Sequence, residues 1–356
     1  MPMQDFDINR LVRPHILKMK PYSSARDEYE GNEGIFLDAN ENPWSPVLCE
    51  AVNRYPDPYQ KKLKQAIAEL KAVQASQIFL GNGSDEPIDL LFRAFCTPET
   101  DRVLLLPPTY GMYSVSAALN QAAVEEIPLL PGFLPDVTRL LAKPADRYKM
   151  VFICSPNNPS GNLMPREAVL RLLNHFQGLV VVDEAYIDFA PGQTLLPLLE
   201  GHPNLVVLQT FSKAWGMAGL RLGMAFASPQ IVQLLSKIKA PYNLNTLTQQ
   251  KALEALANVH KKDEAVQKLL QERQLLWQQL KQLPVVQHIY PSDANFLLVK
   301  VPDADRLYRQ LTEKLVIVRN RSSVTLCENC LRISVGSPEE NRQLLAALNQ
   351  CTRAEL

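Results

Sequence analysis

Short runs of aliphatic and β-branched residues recur at 78–80, 103–106, 150–154, 179–182, 205–208 and 222–227. Each is too short for a buried helix and too uniformly apolar for a strand with one wet face. Each is therefore predicted as a strand covered on both faces, as in parallel sheets. Between them, 59–73, 86–95, 166–176 and 229–239 space their apolar residues at three and four, the pattern of an amphipathic helix. Strands alternating with helices predict the α/β class, with a mostly parallel sheet flanked by helices.

The pattern changes beyond this region. From 246 to 283 the spacing predicts one long charged helix whose apolar face carries Leu253, Leu256, Val266, Leu269, Leu270 and Leu276. Strands at 295–301 and 330–335 follow, with helices at 304–315 and 338–348, which predicts a smaller C-terminal α/β domain. The stretch through Gly34 is rich in Pro, Asn and charge, has weak periodicity, and is predicted to be an arm of the kind that lies across a neighbouring lobe or subunit. The expected organisation is an arm at 1–34, a large domain at 35–242 and a small domain at 243–356.

Charge and cysteine usage narrow the partners. Lys and Arg total 37, as do Asp and Glu, so no net field draws the chain to nucleic acid or to an anionic membrane. Small molecules and protein partners are the expectation. Charged residues interrupt the first thirty positions, which argues against a secretory leader, and no run approaches the ~20 apolar residues of a membrane span; a cytoplasmic protein is expected. The six cysteines are scattered. Cys327 and Cys330 form a CxxC with no second such pair or His pair after it, so a short turn between strands at 323–326 and 331–335 is expected, and no metal site.

Four polar segments fall where predicted strands end: GNGSDE (81–86), SPNNPSG (155–161), DEAY (183–186) and TFSKAWGMAGLRLG (210–223). In a doubly wound sheet they converge on one edge, where such folds bind ligands. Lys213 supplies an amine able to condense with an aldehyde, and Ser212 and Arg221 near it suit a phosphate. Gly83 and Ser84 open a helix whose N-terminus favours an anion. Asp183, ending an apolar strand, suits the ring nitrogen of a pyridine, where a retained proton makes the ring an electron sink. Asn157 and Tyr186 suit its phenolic oxygen, and Tyr110 suits stacking on its face. Taken singly, each segment has an ordinary explanation: Asp183-Glu184 as a helix cap, SPNNPSG as a turn, Tyr110 as an interior aromatic. Together they match pyridoxal 5′-phosphate.

The order GNGSDE, PTYGMY, SPNNPSG, VVVDEAY, TFSKAWGMAGLRLG and LRISVG resembles the fold-type I pyridoxal-phosphate aminotransferases. LDANENP (37–43) and RYPD (54–57) are similar to segments of the histidinol-phosphate aminotransferase family, and the likeness runs from about residue 10 to the C-terminus. It implies a seven-stranded sheet, Lys213 as the Schiff-base lysine, Asp183 on the pyridine nitrogen, Asn157 and Tyr186 on the phenolic oxygen, and Tyr110 as the stacking ring. It places Ser84, Asp85, Ser212 and Arg221 on the phosphate, with Tyr55 reaching that phosphate from the other subunit of a homodimer. Trp44-Ser45-Pro46 stands where the family has Gly-Pro after its NENP motif, so the local turn departs from the pattern.

Arg321 and Arg332 suit forked hydrogen bonds to a phosphate or carboxylate, and Tyr22 of the arm is a candidate to enclose the substrate. The resemblance implies L-histidinol phosphate and 2-oxoglutarate as reactants, giving imidazole acetol phosphate and L-glutamate, a step of histidine biosynthesis. Two enzymes share the same apparatus and stay open: an aromatic amino-acid aminotransferase and a threonine-phosphate decarboxylase. A regulator that binds the cofactor without turnover is a third reading; such regulators carry a DNA-binding segment of roughly sixty residues or more ahead of this domain, and only a short arm stands here.

Overall fold

The computed structural model describes residues 6–22, 34–44, 47 and 52–353. Two short helices open it, α1 (Ile8–Leu11) and α2 (Pro14–Lys18), followed by α3 (Lys61–Lys71). Then come β1 (Ile78–Asn82), α4 (Asp85–Phe95), β2 (Arg102–Leu105), α5 (Met112–Leu119), β3 (Ala123–Glu126) and α6 (Val137–Leu141). They are followed by β4 (Met150–Cys154), α7 (Arg166–His175), β5 (Leu179–Asp183), β6 (Leu205–Thr210), β7 (Leu222–Ala227) and α8 (Pro229–Ile238). The C-terminal part holds α9 (Thr246–Ala257), α10 (Val259–Lys281), β8 (His288–Ile289), β9 (Phe296–Lys300), α11 (Ala304–Glu313), β10 (Arg319–Asn320), β11 (Cys330–Ser334) and α12 (Pro338–Arg353).

The larger sheet has seven strands in the order β1-β7-β6-β5-β4-β2-β3. Only β7 runs against its neighbours, so the other six strands end on one edge. Every residue of β4, β5 and β6 is buried. Successive residues serve opposite faces: Val180, Val182, Leu205 and Val207 join one apolar layer with α3 and α7, while Leu179, Val181, Val206 and Leu208 join the other with α4, α5 and α8. Burying each such side chain contributes about 1.5–3 kcal/mol. That double burial explains why these strands were visible as unbroken apolar runs.

A four-stranded antiparallel sheet, β10-β11-β9-β8, packs against α10, α11 and α12. A small cluster of Tyr186, Phe189, Ala214, Val266, Ala294 and Phe296 joins the loops at the large sheet's edge to α10 and β9.

Two local expectations are corrected, one strand was not predicted, and part of the arm is placed. The single helix over 246–283 is two, because Asn258 leaves helical geometry at φ −114°, ψ 29° and its amide donates to the Glu254 carbonyl, capping α9. Residues 323–326 form turns rather than a strand, with Val324 and Cys327 bonded back to Arg321 and Val324. β3 was missed because its residues are mostly exposed and two of its four are Glu, which leaves no apolar run to detect. Within the arm, Ile8, Val12 and Ile16 are buried at a spacing of four against this chain's own α4 and α8, and Lys237 Nζ donates to the Ile16 carbonyl at 2.7 Å. Ser45 and Pro46 lie outside the described residues, as do 1–5 and 23–33 of the arm. No helix among the described residues is long and apolar enough to cross a membrane.

Candidate active site

The sheet's chain order reverses between β2 and β4, and a ligand cleft is expected outside that point. The cleft found at this edge is lined by residues from every strand end that meets there: Ser84 and Asp85 after β1, Tyr110 after β2, Cys154 and Asn158 at the end of β4, Asp183 and Tyr186 from β5, Thr210, Ser212 and Lys213 from β6, and Arg221 before β7. The predicted convergence is therefore present.

One end of the cleft is built for an anion. Ser84 caps α4, an 11-residue helix, without closing the cap with its own side chain. Gly83 stands at φ 72°, and a Cβ there would come within 2.5 Å of Arg221 Nη2. A Cβ on Gly223 would meet the Gly83 carbon and the Ser84 nitrogen, both at 2.3 Å. Two glycines thus let β1 and β7 close tightly enough for the guanidinium to lie over the loop. Arg221 Nη2 pairs with Asp85 Oδ2 at 3.3 Å, and Tyr110 donates to Asp85 Oδ1 at 3.1 Å. Across the loop, Thr210 Oγ1 donates to Ser212 Oγ at 3.0 Å and accepts from Ser212 N–H at 3.1 Å.

The opposite end is buried and acidic. Asp183 accepts from Tyr113 Oη at 2.7 Å and from Ala185 N–H at 3.0 Å. Burial still raises its pKa, with no cation bonded to it among the described residues. Asn157 is fully buried; its amide nitrogen donates to the Pro108 carbonyl at 2.9 Å and to Ser160 Oγ at 2.7 Å, and its Oδ1 has no partner among the described residues. Burial raises the Tyr186 hydroxyl above the ordinary phenol range.

Lys213 Nζ lies 5.5 Å from the Tyr186 ring centroid and makes no hydrogen bond or ion pair among the described residues. Its pKa is lowered, first by burial and then by the positive charge of Arg332. Arg332 sits on β11 opposite Leu298, faces the Phe296 ring at 5.3 Å, and donates to Asn158 Oδ1 at 2.5 Å. Arg321 lies beside it, with its Nε buried and without a partner among the described residues. Both guanidinium pKa values are lowered by burial, and Arg332 adds to the effect on Arg321. A pair of arginines held so close invites an anion.

Of the predicted site residues, Asn157, Arg321, Arg332, Tyr55 and Tyr22 do not line the cleft. Tyr55 stacks on Tyr242 at 4.4 Å, its N–H donates to Glu41 Oε1 at 2.7 Å, and it is 50% exposed. Tyr22 is 73% exposed. Tyr113, Asn158, Cys154 and Thr210 were not singled out from the sequence. Tyr113 follows Tyr110 by three positions, a helical spacing that puts both rings on one side, and that spacing was the available signal.

The donor set fits a flat ring bearing a phosphate and an aldehyde. It offers a helix end with a guanidinium at one side, a buried carboxylate at the other, and between them an amine with lowered pKa that has no bonded partner among the described residues. Among the described residues no cluster of three metal-ligating side chains is found.

The family described as Aminotransferase class I and II matches residues 39–348. A histidinol-phosphate aminotransferase of Cytophaga hutchinsonii is 57% identical over 96% of this chain and 99% of its own length. Another from Parabacteroides distasonis is 52% identical over 96% and 98%. Among solved structures, the histidinol-phosphate aminotransferase of Sinorhizobium meliloti in complex with pyridoxal-5′-phosphate superposes with a TM-score of 0.78 at 26% identity, covering 86% of this chain and 84% of that one. The chain belongs to the class I and II aminotransferase family.

Proposed function

We propose that the protein is a histidinol-phosphate aminotransferase that uses pyridoxal 5′-phosphate to move an amino group between L-histidinol phosphate and 2-oxoglutarate, giving imidazole acetol phosphate and L-glutamate in histidine biosynthesis. The observation that carries this reading is the Lys213 amine, without a bonded partner among the described residues, set between Asp183 and the Arg221 loop with the charge of Arg332 bearing on it.

In this reading Ser84, Asp85, Ser212 and Arg221 hold the cofactor phosphate, Asn157 and Tyr186 hold its phenolic oxygen, Tyr110 stacks on its ring, and Asp183 faces its nitrogen. The cofactor would supply an electron sink there that acidifies the substrate's Cα proton. The Lys213 amine would hold the cofactor and, when free, would take that proton as general base. A lowered pKa keeps its nitrogen free to do both. Arg332 and Arg321 bind whichever anion the substrate brings, the phosphate of one reactant or the carboxylate of the other, by forked hydrogen bonds. Asn158 fixes Arg332 for this task. Tyr22 encloses the substrate, and Tyr55 reaches the phosphate of the other subunit in a homodimer. The enzyme is assigned to the cytoplasm.

The test is the half-reaction. L-histidinol phosphate should bleach the visible band of the loaded enzyme and 2-oxoglutarate should restore it; carbon dioxide release from threonine phosphate would instead assign a decarboxylase.

A further inference from the structure

We propose that Tyr113 is a positioning residue for the cofactor ring: its hydroxyl holds the Asp183 carboxylate in the orientation that the pyridine nitrogen requires. This rests on the reading of Asp183 as the partner of that nitrogen.

The tyrosine is fully buried in α5 and has little freedom. Its ring stacks on Phe152 at 4.8 Å and 22°, Phe152 stacks in turn on Phe92 at 5.4 Å, and Tyr110 meets it edge-on at 5.6 Å and 85°. A ring held in this way can present its hydroxyl in one direction, and that direction is Asp183 Oδ2 at 2.7 Å. The other carboxylate oxygen takes the Ala185 N–H, so each oxygen keeps one lone pair for a further donor.

The surrounding charges do not hold the carboxylate by themselves. Asp85 acts against its ionised form and Lys213 for it, while Cys154, paired with Asp183 in register, adds a thiol whose pKa burial raises. The Tyr113 hydroxyl and the Ala185 N–H are the two hydrogen bonds that favour the carboxylate. Tyr110 and Tyr113 sit at the entry to α5 and send one hydroxyl to Asp85 at the phosphate end and one to Asp183 at the nitrogen end. A single turn thereby sets the spacing between the two ends of the ring site.

Tyr113→Phe removes the donor and keeps the packed ring. Pyridoxal 5′-phosphate is titrated into apo forms of the wild type, Tyr113→Phe, Asp183→Ala and the double variant, followed by protein fluorescence. The visible band of each loaded form is then titrated against pH. Loss of a charge-assisted hydrogen bond predicts cofactor binding weakened by roughly tenfold or more in Tyr113→Phe. It also predicts a higher pH midpoint for the visible band, because the ring nitrogen's positive charge, which lowers that midpoint, is held less firmly. In the Asp183→Ala background the second substitution should change neither quantity. Wild-type affinity and midpoint in Tyr113→Phe would overturn the proposal, as would an effect of equal size without Asp183. A wild type that takes up no cofactor would sink the cofactor reading itself, and the role of Tyr113 with it.

Discussion

Lys213 is an amine in a partly dry cleft with Arg332 bearing on it, and both influences favour the neutral form that chemistry at a carbonyl needs. Lys213→Ala should abolish turnover, and borohydride should no longer fix pyridoxal phosphate to the chain, while dialysis still detects bound cofactor. Arg332→Ala removes the fork beside the Asn158 amide and leaves Arg321 alone; KM for both reactants should rise about 30- to 160-fold, as expected for a charge-assisted bond worth about 2–3 kcal/mol. Steady-state kinetics with a cofactor-saturated variant checks this. That Lys213, Asp183 and Arg221 meet at one edge was legible in the sequence because each lies in a polar segment bordering a predicted strand, not because any one of them lacks an ordinary explanation. Tyr113 was not, since a tyrosine in an apolar helix turn has the composition of an ordinary core residue. Only its hydroxyl, 2.7 Å from Asp183, separates the two.

At the scale of elements, the strands that carry the site were readable because both of their faces are buried, and the helices beside them because one face is. What escaped were elements whose determinants are local. β3 is an exposed edge with Glu125 and Glu126, and the break at Asn258 is one amide capping one carbonyl. The crossing of β1 and β7 shows the same locality with a functional result. Gly223→Ala puts a methyl 2.3 Å from two backbone atoms of the Gly83 loop, which cannot give way as a side chain would. It should lower stability by about 1–3 kcal/mol and weaken cofactor binding by displacing the phosphate loop; denaturant unfolding and cofactor titration measure the two effects separately.

At the scale of the whole molecule, a buried carboxyl bears on stability and the proposed homodimer bears on the site. Glu184, next to Asp183, is buried and accepts from Thr194 Oγ1, Leu195 N–H and Gln209 Nε2, yet desolvation pushes its carboxyl up to about 7 from 4.5. Between those values the folded chain keeps a proton that the unfolded chain has lost. The resulting stabilisation is full below the lower value and fades as pH rises through the upper one, on the order of 3 kcal/mol in all. Glu184→Gln should flatten that slope in denaturant midpoints measured across the window. Tyr55, outside the cleft of its own chain, belongs to the account of a shared site in a homodimer. In mixed dimers of Lys213→Ala and Tyr55→Phe chains, one site then carries both substitutions and the other neither, so mixing should return wild-type cofactor affinity to part of the sites. The central claim is tested most directly by adding L-histidinol phosphate, and separately phenylalanine, to the loaded enzyme and following the visible band. The account predicts rapid loss with histidinol phosphate and recovery with 2-oxoglutarate; a band that responds to phenylalanine alone would contradict it.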